Sequence, residues 1–221
     1  MNKLALFDCD GTLVDSQANI CRSVEEAFAL ARIDAPDRVA IRRIVGLSLV
    51  EAMRILLPGG EDALHRSLAE DYKASFFRLR ASGAMADEPL YEGMVEVLDT
   101  LAADGWVLGV ATGKSDRGLA HILAHHGIAA RFVTLQTADR HPSKPHPSMI
   151  ETAMADAGAA PETTVMIGDT SYDMLMARAA GVRALGVAWG YHPTEDLTAA
   201  GAHAIAEHVP SLPNLMQEPA A

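Results

Sequence analysis

Apolar and polar positions along this chain follow two rhythms. Short apolar runs that stop abruptly at polar clusters occupy 4–7, 106–111, 164–167 and 184–188, and 131–135 and 203–206 repeat the pattern more faintly. Runs of this length predict buried strands. Between them lie stretches with helical spacing that each close on glycine: 95–104 before Gly105, 119–126 before Gly127, 147–157 before Gly158 and 172–180 before Gly181. Glycine is favoured just past a helix, where the chain turns left-handed, and Pro147 suits a first helical turn. Strand and helix in alternation predict an α/β fold: a Rossmann-like parallel sheet core with helices on both faces.

One segment, 16–88, breaks this rhythm and carries helical periodicity alone. Ile20, Val24, Phe28 and Ala31 fall on one face; Leu64, Leu68, Tyr72, Phe76 and Leu79 make a second stripe. Ser48 with Glu51 has the spacing of a capping box opening a third helix. The expected organisation is therefore an α/β core formed by 1–15 and 89–221, with an all-α cap domain, 16–88, inserted after the first strand. The stretch from Pro210 onward holds three prolines and is expected to be a loose end.

Composition narrows the function. Hydrophobic residues make up 49% of 221, enough for a core and too many for a disordered chain. The net charge of −11 argues against nucleic acid and membrane surfaces as partners. An acidic protein that handles an anion must do so with local positive charge: a metal, a lysine or backbone N–H groups. Two cysteines, Cys9 and Cys21, make no disulfide framework, and no CxxC occurs. The apolar run before Asp8 is too short for a signal peptide, and no run approaches the ~18 apolar residues of a membrane span. The expected compartment is the cytoplasm.

In open parallel sheets, ligands bind beyond the C-terminal ends of the strands, so the residues following each run matter most. Asp8-Cys9-Asp10-Gly11-Thr12 follows the first and Thr112-Gly113-Lys114 the second; Lys144-Pro145 precedes a helix, and Gly168-Asp169-Thr170 with Asp173 follows 164–167. Carboxylates, a hydroxyl and lysines from distant segments thus converge on one edge. Phosphoryl transfer needs this set, because its catalysis is mostly positioning and charge neutralisation. Asp8 and Asp169 could supply the few carboxylates Mg²⁺ requires. A carboxylate can also attack phosphorus and divide the reaction into two steps. Asp10 could serve as acid and then base, Gly11 would let the backbone turn sharply and present N–H groups, and Thr112 and Lys144 would hold phosphate oxygens.

These motifs resemble the haloacid dehalogenase superfamily, in its phosphoglycolate-phosphatase-like branch. The resemblance rests on Asp8-Cys9-Asp10-Gly11-Thr12-Leu13-Val14-Asp15-Ser16, Ala111-Thr112-Gly113-Lys114, Lys144-Pro145-His146-Pro147 and Gly168-Asp169-Thr170-Ser171-Tyr172-Asp173-Met174, and it covers essentially the whole chain, cap included. It implies Asp8 as nucleophile and metal ligand, and Asp10 as acid/base with its carbonyl on the metal. It further implies Thr112, Gly113 and Lys144 at the substrate, Asp169 on the metal and Asp173 beside metal-bound water, with Gly11 and Lys114 in support. The implied cofactor is Mg²⁺ and the implied partner a small phosphorylated metabolite. An aspartate at position 10 argues against dehalogenation. A β-phosphoglucomutase-like phosphomutase and a non-catalytic binding relative are the alternatives. Mutases usually carry a Ser-Ala-Ser-like second motif where this chain has Thr112-Gly113-Lys114, and a binding relative is expected to have lost a site residue.

Other conspicuous residues have ordinary readings. Cys9, between two aspartates, should point away from them as a buried thiol. His121, His125 and His126 read as helix surface rather than a zinc site. Met174 and Met176 read as core. Arg42 and Arg43 read as solvated, although either could touch substrate.

Overall fold

The computed structural model describes residues 1–217. Strands β1 (Asn2–Phe7), β2 (Trp106–Thr112), β3 (Phe132–Thr137), β4 (Ala159–Gly168), β5 (Arg183–Val187) and β6 (Ala204–Ala206) form one sheet in the order β3-β2-β1-β4-β5-β6. Every neighbouring pair is parallel. The winding of the strand order reverses between β1 and β4, so β1 sits centrally with β2 and β4 on either side, and the tips of these three strands lie side by side.

Side chains alternate across the sheet with the strand period of two. Ala5 and Phe7 of β1 face one core, with Met94, Leu98 and Leu101 of α5 (Met94–Ala103) and Leu119 and Ile122 of α6 (Asp116–His125). Leu4 and Leu6 face the other, with Met149, Ile150 and Ala153 of α7 (Ser148–Ala157) and Met174 and Met176 of α8 (Ser171–Ala179). Helices thus cover both faces, as the alternating pattern predicts. The glycines after α5, α6, α7 and α8 all have positive φ. The described residues include no helix long and apolar enough to cross a membrane.

Between β1 and α5 come four further helices: α1 (Gln17–Leu30), α2 (Arg38–Arg42), α3 (Leu49–Leu56) and α4 (Asp62–Ala81). They enclose a hydrophobic cluster of their own, built from Ile20, Val24, Phe28, Ile41, Met53 and Leu68. The segment is latched to the sheet's C-terminal edge. Arg43 pairs with Asp196 of α9 (Thr194–Ala199) at 2.6 Å, the Tyr172 hydroxyl donates to the Arg43 carbonyl, and the Ser48 amide donates to Ser143 Oγ at 2.8 Å.

Two expectations are corrected. The Ser48–Glu51 capping box does not form: Ser48 occupies the N-cap position of α3 but makes no side-chain cap bond, and Glu51 pairs with Arg54 instead. Ser143, supplied by the core, takes the Ser48 amide that a reciprocal Glu51 would have accepted. The stretch after Pro210 is no loose end as far as Gln217. It forms α10 (Leu212–Gln217), which buries Leu212 and Met216 in the same cluster as α5. Residues 218–221 of that expectation lie outside the described residues.

Candidate active site

The backbone leaves β1 at Asp8, whose amide still bonds to the Ile167 carbonyl of β4, and then closes a tight turn in which the amides of Leu13 and Val14 bond back to the Cys9 carbonyl. That turn aims Asp8 and Asp10 over the sheet edge and sends Cys9 into the apolar cluster beneath, where burial pushes its thiol well above the usual range. Gly11 is required at the turn: its φ is +83°, and a Cβ there would lie 2.2 Å from Asp169 Oδ2.

Asp8, Asp169 and Asp173 come together with ligand atoms within 4.8 Å of one another, all buried. Lys144 Nζ bridges two of them, 3.0 Å from Asp8 Oδ1 and 2.7 Å from Asp173 Oδ1. Asp169 is fixed from both sides: the Thr12 hydroxyl donates to Oδ1 at 2.8 Å and the Tyr191 amide to Oδ2 at 2.9 Å. Asp173 also stands in α8's capping box, accepting from the amide and hydroxyl of Thr170. Its helix-start role and its contact with Lys144 therefore use different oxygens.

Asp10 is arranged differently. Its carboxylate turns away from the other three and accepts from Lys114 Nζ at 2.8 Å and from the Ser16 hydroxyl. Its carbonyl, the atom that the resemblance assigns to a metal, accepts no backbone hydrogen bond among the described residues. Thr112 is buried at the tip of β2, its hydroxyl accepting from the Lys114 amide. Gly113 sits where the core meets the inserted helices: a Cβ there would lie 2.7 Å from the Gly46 carbonyl oxygen and 2.8 Å from that of Leu47.

Crowding carboxylates away from water shapes their titration. Burial pushes Asp8 up to about 7; Lys144 opposes this, and repulsion from Asp173 and Asp10 adds to it. Burial, with repulsion from Asp8 and Asp173, also holds Asp169 well above the carboxylate range. Burial alone would push the ammonium of Lys144 down, but Asp173 and Asp8 outweigh it and the net shift is upward. Asp8 Oδ2 is buried with no hydrogen-bond partner among the described residues. An uncompensated carboxylate oxygen beside two further carboxylates is costly unless positive charge joins it. Hard anionic oxygens with one atom uncommitted fit a divalent cation such as Mg²⁺.

The residues that the sequence offers as site candidates (Asp8, Asp10, Gly11, Thr112, Gly113, Lys114, Lys144, Asp169 and Asp173) lie in this region, Asp10 and Lys114 at its outer edge. Sequence reasoning missed Thr12, Ser16, Thr170 and Tyr191. The first three stand inside quoted motifs, so proximity was a usable signal; Tyr191 follows a strand and gave none. The remaining bystanders stay apart. His121 and His125 are exposed, and His126 Nε2 lies 2.8 Å from the Glu88 carbonyl. Arg42 bonds to Gln17 and Arg43 to Asp196.

Comparison with known proteins gives the family and the fold. A family model described as haloacid dehalogenase-like hydrolase matches residues 5–187. A probable phosphatase, IndB, of Dickeya dadantii is 38% identical over 90% of this chain and 87% of its own. A phosphoglycolate phosphatase of Vibrio parahaemolyticus is 28% identical over 95% of this chain and 94% of its own. The crystal structure of a predicted phosphatase from Clostridium acetobutylicum superposes with a TM-score of 0.87 at 26% identity, covering 98% of each chain.

Proposed function

Because the chain belongs to the haloacid dehalogenase-like hydrolase family, we propose that this hydrolase is a Mg²⁺-dependent phosphatase that cleaves a small metabolite's phosphate monoester through an aspartyl-phosphate on Asp8. Phosphoglycolate is the candidate ester that several relatives' names supply. The observation that carries the reading is Asp8 itself: one oxygen is held by Lys144 and the Cys9 amide, the other is buried and uncommitted.

In this reading Asp8 attacks phosphorus, and the ester oxygen leaves with a proton from Asp10. Asp10 then takes a proton from the water that attacks the acyl phosphate, which frees inorganic phosphate and restores Asp8. Thr112, Lys144 and the Gly113 amide hold the phosphoryl oxygens. Lys114 and Ser16 hold the Asp10 carboxylate between its two duties. Asp8, Asp169 and the Asp10 carbonyl would hold the cation, with Asp173 beside it; when bound, the cation screens the repulsion between carboxylate and phosphate. The inserted helices, taken as a cap over 16–88, would close over the reacting groups and exclude water.

The test is acid quenching of the working enzyme with an isotopically labelled ester. Label retained on the denatured protein and mapped to Asp8 supports the reading; turnover with no label at Asp8, or turnover indifferent to EDTA, overturns it.

A further inference from the structure

Above the Asp10–Lys114 pair, between the inserted helices and the loops after β2 and β3, lies a cavity of about 510 Å³. Its floor includes Asp10, Gly113 and Lys114; Val24, Val45, Val50, Phe76 and Phe77 wall it from the insertion. It opens from the acid/base residue of the proposed reaction, so it is where the alcohol part of an ester would lie.

Three features bear on what that alcohol is. The first is size. Cavities of ~300–1,000 Å³ enclose drug-sized molecules, and a two-carbon acid such as glycolate would leave most of this one unfilled. The second is the character of the wall, which is aliphatic and aromatic. Tyr72 and Phe76, one turn apart on α4, stack at 5.8 Å between centroids, and Phe77 beyond them is 50% exposed. Flat apolar walls favour ring systems. The third is the placement of cations. Of the two lysines lining the cavity, Lys114 pairs with Asp10 and Lys73 with Glu70. The polar groups left over lie on the walls. The Tyr72 hydroxyl makes no hydrogen bond among the described residues, and Arg80 Nε and Nη2 are buried without a hydrogen bond there, Nη2 lying 3.8 Å from Glu88 Oε2. Arg117 stacks its guanidinium 4.3 Å from the Phe77 ring without an ion pair among the described residues.

We infer that the substrate is the phosphate ester of a ring-bearing alcohol of nucleoside size or larger, whose apolar body fills this cavity and whose acceptor atoms meet Tyr72 and Arg80. The inference rests on the phosphatase reading and replaces phosphoglycolate as the candidate ester.

The experiment measures kcat/KM with Mg²⁺ for 1-naphthyl phosphate, uridine 5′-monophosphate, phosphoglycolate and acetyl phosphate. At least one ring ester should exceed phosphoglycolate by about tenfold or more. In Val50→Trp, which fills the cavity, the ratio of ring-ester to acetyl phosphate activity should fall by about tenfold, and in Tyr72→Phe the ring-ester KM should rise. Phosphoglycolate preferred by the wild type, or both variants leaving the ratio unchanged, overturns the inference and leaves the phosphatase intact. Silence on every ester, acetyl phosphate included, overturns both.

Discussion

The ammonium of Lys114 lies 2.8 Å from Asp10 Oδ1, and each side chain is only 9% exposed. The pair ties the loop after β2 to the turn after β1, and with the Ser16 hydroxyl it fixes where Asp10 points. Small misplacements of an acid/base group cost rate heavily. Lys114→Met should therefore lower kcat/KM by about ten- to a hundredfold, and it should also lower the melting temperature, because the buried Asp10 carboxylate loses its cation. Steady-state assays beside a thermal melt check both halves of this expectation.

Asp8→Asn keeps the shape of the side chain but removes the proposed nucleophile. Turnover should fall by about a thousandfold or more. Stability should not fall with it. Burial makes the charged form of Asp8 unfavourable in the folded protein, so a neutral amide there relieves a cost. Metal-free Asp8→Asn protein is expected to melt no lower than metal-free wild type at about pH 8.

Asp8 and Asp169 hold protons more tightly folded than unfolded, where Asp titrates near 3.8. A raised folded-state value means stability that is present below pH 3.8 and lost as pH climbs towards about 7. Metal-free protein should thus grow less stable across that window. A cation that replaces those protons should stabilise more at about pH 8 than at about pH 5.5, because it no longer competes with them. Thermal shifts on adding Mg²⁺ to EDTA-treated protein at the two pH values read the difference directly.

Gly113 presses against the carbonyls of Gly46 and Leu47. Gly113→Ala would force that seam apart by overpacking, at about 1–3 kcal/mol. A lower denaturant midpoint together with a raised KM is expected. A raised KM alone would mean that the seam yields without resistance.

The sheet and its flanking helices were readable because the central apolar runs are buried on both sides, so that pattern and packing ask for the same residues. Even 203–206, whose pattern is faint, is a strand, paired to β5 through Leu185 and Ala204. The misreadings share a cause: in each, a distant partner decided the outcome. Ser48 found Ser143 rather than Glu51, and the proline-rich stretch after Pro210 folded because Leu212 and Met216 had a cluster to join. The site behaved alike. Its charged residues stand in compact motifs, whereas Tyr191 contributes a main-chain amide to Asp169, and a main-chain donor leaves no mark on residue type.

Every carboxylate gathered at the tips of β1 and β4 comes from the α/β layer, while the cavity walls above come largely from helices spliced in after the first strand. On the proposed reading, reactivity and much of the recognition are thus written in separate stretches of the gene. Substitutions in 17–81 would then retune which molecule enters without disturbing the atoms that break its bond, so a transplant of those helices from a relative should transfer taste while leaving the appetite unchanged.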